Sequence, residues 1–368
     1  MRVRAFLTHK LCEHYADCQD RFCINEDNRI IALSDGMSQS IFPDYWAEIL
    51  SEQYAKEGHC NEEDRKKLCG LWMQRVIKYR NEQIEAGKDP WKLDNFLASH
   101  KGAGATLCGI RFENATDWKG DILGDSCVIS VNKKDWVIDI MSSEEKAFDS
   151  FPDFYDSFPE KMGRGTIKPF EGYISPDVIL LMVSDPFSEY LCKNKEKAEE
   201  LVGQLLKLEN HDDYCKLVDE WRLKGMHNDD STLCIIEFDG DLKMNISHQD
   251  DISILMQKEK EIEKKEKEIK EEVAPTIAKA NPIPANGIME STQVNSIKIE
   301  RNRISTDETV QSKKLRDFCM TVLKELDALL SSRNKSWFPL PNESVKKERI
   351  AEVRNRIAQK YEELSTSE

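Results

Sequence analysis

The 368-residue sequence lacks several features that would fix its class at once. No window reaches about 18 consecutive apolar residues, so nothing in it is read as crossing a membrane. The opening residues Met1 to His9 carry no long apolar stretch followed by a small-residue cleavage site, so no signal peptide is expected. Eleven cysteines are present, but they are odd in number and scattered. They form no C-x-x-C pair and no Cys/His cluster at zinc spacing, and read as reduced, mostly buried thiols of a cytoplasmic protein. Positive charge is also in deficit: 53 Lys and Arg against 68 Asp and Glu give a net charge of -15. Nucleic acid is held chiefly by clustered Lys and Arg, so it is not expected as the partner. The same acidity repels phosphoproteins, so any phosphate specificity has to come from bound metal. There is no internal repeat.

What is present begins with short apolar runs. Arg29 to Ser34, Ala105 to Phe112, Cys127 to Val131, Val178 to Val183 and Leu233 to Phe238 read as buried strands. Tyr45, Trp46, Ile49, Leu50 and Tyr54, and then Leu68, Leu71, Trp72, Arg75, Val76 and Tyr79, recur at helical spacing. A further helix is expected from Ala198 to Leu208, continuing near Tyr214 to Trp221. This order is not the strand-helix alternation of a parallel doubly wound sheet. It predicts an α+β fold, a sandwich of two antiparallel sheets flanked by helices, over residues 1–240. Residues 241–312 read as a solvated Lys/Glu helix, Gln257 to Glu272, followed by a Pro-containing linker. Residues 313–368 carry two apolar stripes separated by Trp337-Phe338-Pro339-Leu340-Pro341 and read as a helical hairpin for self-association or a protein partner.

Five acidic signatures run along the first two-thirds of the chain: Cys18-Gln19-Asp20, Ser34-Asp35-Gly36, Gly124-Asp125-Ser126, Ser184-Asp185-Pro186 and Asn228-Asp229-Asp230-Ser231-Thr232. Most lie beside an apolar run, so their carboxylates emerge at strand ends. Isolated Asp residues gathered from distant segments suit hard divalent cations, which take several oxygen ligands and retain some water. Singly, each is most simply an Asp that bonds its own turn backbone; the ordered set is what points to metal.

As an ordered set the signatures resemble the metal-dependent serine/threonine protein phosphatases of type 2C. The likeness is to a bacterial subgroup with a His before Cys-Gln-Asp and a closing Asp-Asp-x-Thr-Leu, matched here by His9, Cys18-Gln19-Asp20 and Asp229-Asp230-Ser231-Thr232-Leu233. The resemblance covers roughly residues 1–240. It implies hydrolysis of phosphoserine and phosphothreonine in proteins, in bacterial signalling, by water activated between two Mn²⁺ or Mg²⁺ ions. Asp35 would bridge the ions and the Gly36 carbonyl would bind one of them. Asp20 would hold one ion, and Asp185 and Asp229 the other. Asp125 and Glu189 would hold a further, weaker ion, with Glu189 one helical turn beyond Asp185. Gln19 would orient a metal-bound water. The implied partners are a phosphoprotein substrate and a cognate kinase.

The sequence also departs from that pattern. Where family members often carry a phosphate-gripping Arg, the stretch reads His14-Tyr15-Ala16-Asp17, leaving His9 or His14 as candidate phosphate contacts. Met37 stands where eukaryotic members place a His proposed as general acid, and Pro186 replaces the Gly after the fourth Asp. Two other readings therefore stay open. One is a pseudophosphatase, the same fold used for sensing or scaffolding through its C-terminal helices; the other is a metal-dependent nuclease, which the net charge disfavours.

Overall fold

A computed structural model describes residues 1–143, 152–158, 160–161 and 163–277, with side chains of 266–277 excepted. The chain divides into the units Met1–Lys279 and Ala280–Glu368. The second unit lies outside the described residues, and with it the expected hairpin over 313–368.

In chain order the first unit runs β1 (Arg2–Thr8), β2 (Arg21–Asn25), β3 (Ile30–Ser34), α1 (Pro43–Glu57), α2 (Glu62–Glu85), α3 (Trp91–Ala98), β4 (Gly104–Ala105), β5 (Leu107–Arg111), β6 (Asp117–Leu123) and β7 (Cys127–Asn132). It continues through β8 (Ile138–Met141), β9 (Tyr155–Asp156), β10 (Lys168–Tyr173), β11 (Val178–Val183), α4 (Asp185–Lys193), α5 (Ala198–Leu205), α6 (His211–Leu223), β12 (Ser231–Glu237), β13 (Asn245–Gln249) and α7 (Ile252–Ile277). One six-stranded sheet has the order β13-β1-β12-β11-β7-β8, and one five-stranded sheet the order β10-β6-β5-β3-β2. All pairings within them are antiparallel but one: β13 lies parallel to β1.

The two sheets stack face to face because their strands alternate. Val3 and Ala5 of β1, Leu180 and Met182 of β11, and Cys234 and Ile236 of β12 meet Ile31 and Leu33 of β3 and Cys108 and Ile110 of β5 in one buried layer. The opposite face of the six-stranded sheet carries Phe6, Ile129, Leu181 and Ile235 against Phe187, Leu201, Val218 and Trp221 of α4, α5 and α6. The opposite face of the five-stranded sheet packs Ala32 and Leu107 against Trp46, Leu50 and Tyr54 of α1 and Trp72 of α2. The architecture is therefore the expected α+β sandwich, four layers thick. Helix α1 starts where Pro43 occupies its first turn, and α2 where Asn61 and Asp64 form a reciprocal capping box.

Among the features that escape the sequence pattern, three alter the expected elements. The expected strand over 105–112 is broken in two, because Ala105 turns to pair with Tyr155 of β9. The polar stretch Asn245–Gln249 is an edge strand, so the sheet continues past residue 240. The charged stretch after it is α7, whose first turns are not free in solvent: Leu255 is buried against Leu7, Tyr15 and Cys18.

Candidate metal centre

The ladders of the sandwich explain why five distant Asp residues meet. In the β2–β3 hairpin Arg21 faces Ser34, so the next positions outward are Asp20 and Asp35. In the β7–β11 pair Val183 faces Cys127; two residues further along each strand stand Asp185 and Asp125. In the β1–β12 pair Thr8 faces Ser231, and two residues beyond lie Lys10 and Asp229. All three extensions run off the same end of the sandwich. There, Asp35, Gly36, Met37, Asp125, Asp185 and Asp229, with His227, line a cavity of about 350 Å³.

Each acid is held by its own scaffold. The backbone around Asp35 is pinned to the start of β5: the Asp35 N–H donates to Thr106 Oγ1 at 3.0 Å, and the Thr106 N–H to the Asp35 carbonyl at 2.9 Å. Ser34 Oγ donates to the Thr106 carbonyl at 2.6 Å, and Thr106 Oγ1 meets Ser126 Oγ at 2.8 Å, joining the turns that carry Asp35 and Asp125. Gly36 is required by α1: a Cβ at this position would stand 2.8 Å from Pro43 Cβ and 2.9 Å from its carbonyl. The closing motif is structural as well as acidic. Thr232 Oγ1 donates to Asp20 Oδ2 at 2.7 Å, and the Thr232 N–H to Ser184 Oγ at 2.9 Å, next to Asp185. Asp230 accepts from the backbone N–H groups of Lys10 (3.1 Å) and Gln19 (2.8 Å), so it staples both ends of the loop leading to Asp20.

The electrostatics are those of a site short of cations. Burial first, and then Asp230, push the Asp20 carboxyl up to about 7. Burial, Asp20, Asp185, Asp125 and Asp229 hold Asp35 well above the usual carboxylate range, and burial with Asp125, Asp229, Asp20 and Glu189 does the same to Asp185. Asp20 Oδ1, Asp185 Oδ1 and Gln19 Oε1 are buried with no hydrogen-bond partner among the described residues. Buried oxygens without partners are costly unless something else binds them. Hard oxygen donors, in excess over counter-charge, fit divalent cations such as Mn²⁺ or Mg²⁺. Asp185, His227 and Asp229 also offer ligand atoms that all lie within 4.8 Å of one another.

Lys10 is the cation that the sequence reading missed. Its Nζ stands 2.9 Å from Asp229 Oδ1 and donates to Ser38 Oγ at 2.9 Å. Burial works against its charge, but Asp229 and then Asp230 outweigh it and raise the ammonium further. The only signal for Lys10 was register: it follows β1 by two residues, opposite Asp229. His227 was missed because a single His before Asn228 carries no pattern.

The remaining candidates sit apart from the cavity lining. His9 turns to Glu259 of α7, with Nε2 at 3.7 Å from its carboxylate, and His14 Nδ1 lies 3.2 Å from Glu259 and 3.3 Å from Glu263. Both rings thus stand beside α7. Glu189 shares α4 with Asp185, as the spacing requires, but pairs with Lys193 Nζ at 2.7 Å.

No family model matches this chain, and no curated protein does. Solved structures with which it aligns include a bacterial serine phosphatase (16% identity, 65% of this chain and 98% of that one, TM-score 0.41). They also include the serine/threonine phosphatase Stp1 from Staphylococcus aureus (16%, 64% and 94%, 0.40) and the Mycobacterium tuberculosis serine/threonine phosphatase PstP/Ppp (14%, 64% and 98%, 0.41). Among the described residues no helix is long and apolar enough to cross a membrane.

Proposed function

We propose that the chain is a metal-dependent phosphatase of type 2C character that hydrolyses phosphoserine and phosphothreonine in proteins. The observation that carries this reading is the convergence of Asp20, Asp35, Asp125, Asp185 and Asp229 at one end of the sandwich, with a buried oxygen each of Asp20 and Asp185 lacking a hydrogen bond among the described residues. Asp20, Asp35, Asp185, Asp229 and the Gly36 carbonyl would hold two ions, with Asp125 toward a third. Such ions supply charge neutralisation and, at neutral pH, a water acidic enough to act as nucleophile. The chain's own residues supply the rest. Thr232 and Ser184 fix the acids, Gly36 lets the α1 terminus approach the turn, and Lys10 brings an ammonium to the cavity wall. Lys10 is placed to contact a phosphate oxygen once Asp229 is engaged elsewhere, a role a Lys performs as a point charge.

The test is hydrolysis of para-nitrophenyl phosphate and of a phosphothreonine peptide by the full chain. Turnover is expected only with added Mn²⁺ or Mg²⁺, and background rates in Asp35→Asn. Undiminished turnover in excess chelator overturns the mechanism.

One contact favours the second reading, a binding module without turnover. An ammonium already paired with Asp229 at 2.9 Å neutralises one ligand without metal. Calorimetric titration with Mn²⁺ separates the readings, because a scaffold of this kind has no need to take up two ions.

A further inference from the structure

Away from the acidic cavity, at the junction of α6 with the turn before α7, three side chains form a second reactive grouping. Cys215 Sγ lies 3.2 Å from His211 Nε2, one helical turn away on α6. The other ring nitrogen, Nδ1, lies 2.8 Å from Asp250 Oδ2. Asp250 is 6% exposed and held in place from two further directions: the Leu7 N–H donates to Oδ2 at 3.0 Å, and His248 Nε2 lies 2.9 Å from Oδ1. A thiol, an imidazole within hydrogen-bond reach and a carboxylate that orients the imidazole are the parts of an activated nucleophile. None of the three belongs to the candidate metal centre.

Other neighbours of the thiol are Tyr15 Oη at 3.8 Å, which also bonds His211 Nε2 at 2.8 Å, and Thr8 Oγ1 at 3.7 Å. Tyr214 beside them on α6 is buried and donates to the Ser231 carbonyl, so it takes no proton from the group. Burial works against a charged His211, but its bonds to Asp250 and Cys215 outweigh this and raise it to about 10. Cys215 is only partly buried, whereas Cys18, Cys60, Cys69, Cys108, Cys127 and Cys234 are fully buried.

We propose that Cys215 is a nucleophile paired with the His211 imidazole and a site of oxidation by hydroperoxides. In the reaction the Cys215 sulfur attacks one peroxide oxygen, the S–O bond forms and the O–O bond breaks. The sulfur is oxidised by two electrons to the sulfenic acid and the peroxide is reduced. The departing hydroxide or alkoxide takes the proton from His211 Nε2 and leaves as water or alcohol. The added oxygen has to enter space now bounded by Thr8, Tyr15 and His211.

The test uses the full chain and compares Cys215 with Cys12, which is exposed and has no such partners among the described residues. Iodoacetamide labelling is followed by peptide mass spectrometry near pH 6, where an ordinary exposed thiol is less than about 1% ionised. Cys215 is expected to label at least about 10-fold faster than Cys12 there, and hydrogen peroxide with dimedone is expected to tag Cys215 first. In His211→Gln the labelling advantage should disappear. Labelling of Cys215 at pH 6 no faster than that of Cys12, in the wild-type chain, overturns the proposal and does not depend on whether the variant folds. Because this readout uses no phosphatase substrate or metal, its failure is separate from any failure of the proposed function.

Discussion

Asp20→Asn should make the metal-free protein more stable while abolishing its response to metal. Asp20 is fully buried, Oδ2 is satisfied by Thr232 and Oδ1 by nothing among the described residues. Its carboxyl is raised from 3.8 to about 7. Because the folded value lies above the unfolded one, the ionised group opposes folding. The penalty is absent below the unfolded value and grows as pH rises, reaching its full size above about 7. At about 1.4 kcal/mol per unit, a rise of about three units corresponds to about 4 kcal/mol; proton uptake by neighbouring acids shares part of it, leaving about 2–4 kcal/mol. Asn keeps an acceptor for Thr232 and carries no charge. In excess chelator near pH 8 the variant should therefore melt at least about 4 °C higher than wild type. The gap should close toward about pH 4. Wild type should in turn gain about 2–3 kcal/mol from Mn²⁺ at roughly a hundred times its dissociation constant, and the variant much less. Thermal melts at several pH values, with chelator and with Mn²⁺, read both effects. A variant less stable than wild type in chelator near pH 8, or a difference that ignores pH, would refute the reasoning.

Further outcomes follow from single contacts. Lys10→Gln should raise KM for phosphomonoesters by roughly 10- to 100-fold, the worth of one charge-assisted hydrogen bond, with Lys10→Arg restoring most of it; an unchanged KM removes Lys10 from phosphate binding. Gly36→Ala should destabilise the fold by about 1–3 kcal/mol and weaken metal uptake, since its Cβ would meet Pro43 at 2.8 Å; urea unfolding and calorimetry check the two parts. Trp46→Ala should cost about 3–5 kcal/mol, because a fully buried indole between α1 and the five-stranded sheet is lost together with its bond to the Tyr155 carbonyl. His211, raised to about 10, stabilises the fold fully below its unfolded value near 6.5 and loses that contribution as pH rises through about 10. Urea midpoints should accordingly fall across that window in wild type and stay flatter in His211→Gln.

Much of the fold was legible because its central strands are buried on both faces. Val178–Val183 is a continuous apolar run and Ser231–Glu237 contains one, Leu233 to Ile236, so their ends could be read to within two residues. The strands that went unread include the buried Arg2–Thr8, whose apolar run is broken by Arg2 and Arg4, and several at a sheet edge. Asn245–Gln249 alternates exposed and partly buried positions at the sheet margin, and Arg21–Asn25 is only partly buried along its length. Their positions are set by ladders with β1 and β3, which no local pattern encodes. Helix α4 was anticipated only as the turn that links Asp185 to Glu189; its nine residues, Asp185–Lys193, carry Phe187, Tyr190 and Leu191 at helical spacing but are too few to stand out as a period.

At the site, the acids were legible and the cation was not, and both facts have one cause. The turn Asp residues stand out as an ordered set beside apolar strands, whereas Lys10 is one of many lysines and differs only in facing Asp229 across a ladder extended by two residues. Converging carboxylates outnumber that ammonium in a partly desolvated cleft: Asp229 is paired with it, while burial and mutual repulsion raise Asp20, Asp35 and Asp185. Such a site is destabilising as a piece of structure, since buried acids of one sign oppose folding and neutral replacements would relieve them. A divalent cation removes the conflict at a stroke, because it binds the folded arrangement and not the dispersed acids of the unfolded chain. The arrangement therefore makes physical sense as a metal centre, and the stability of its neutral variants is the measure of how far that sense extends.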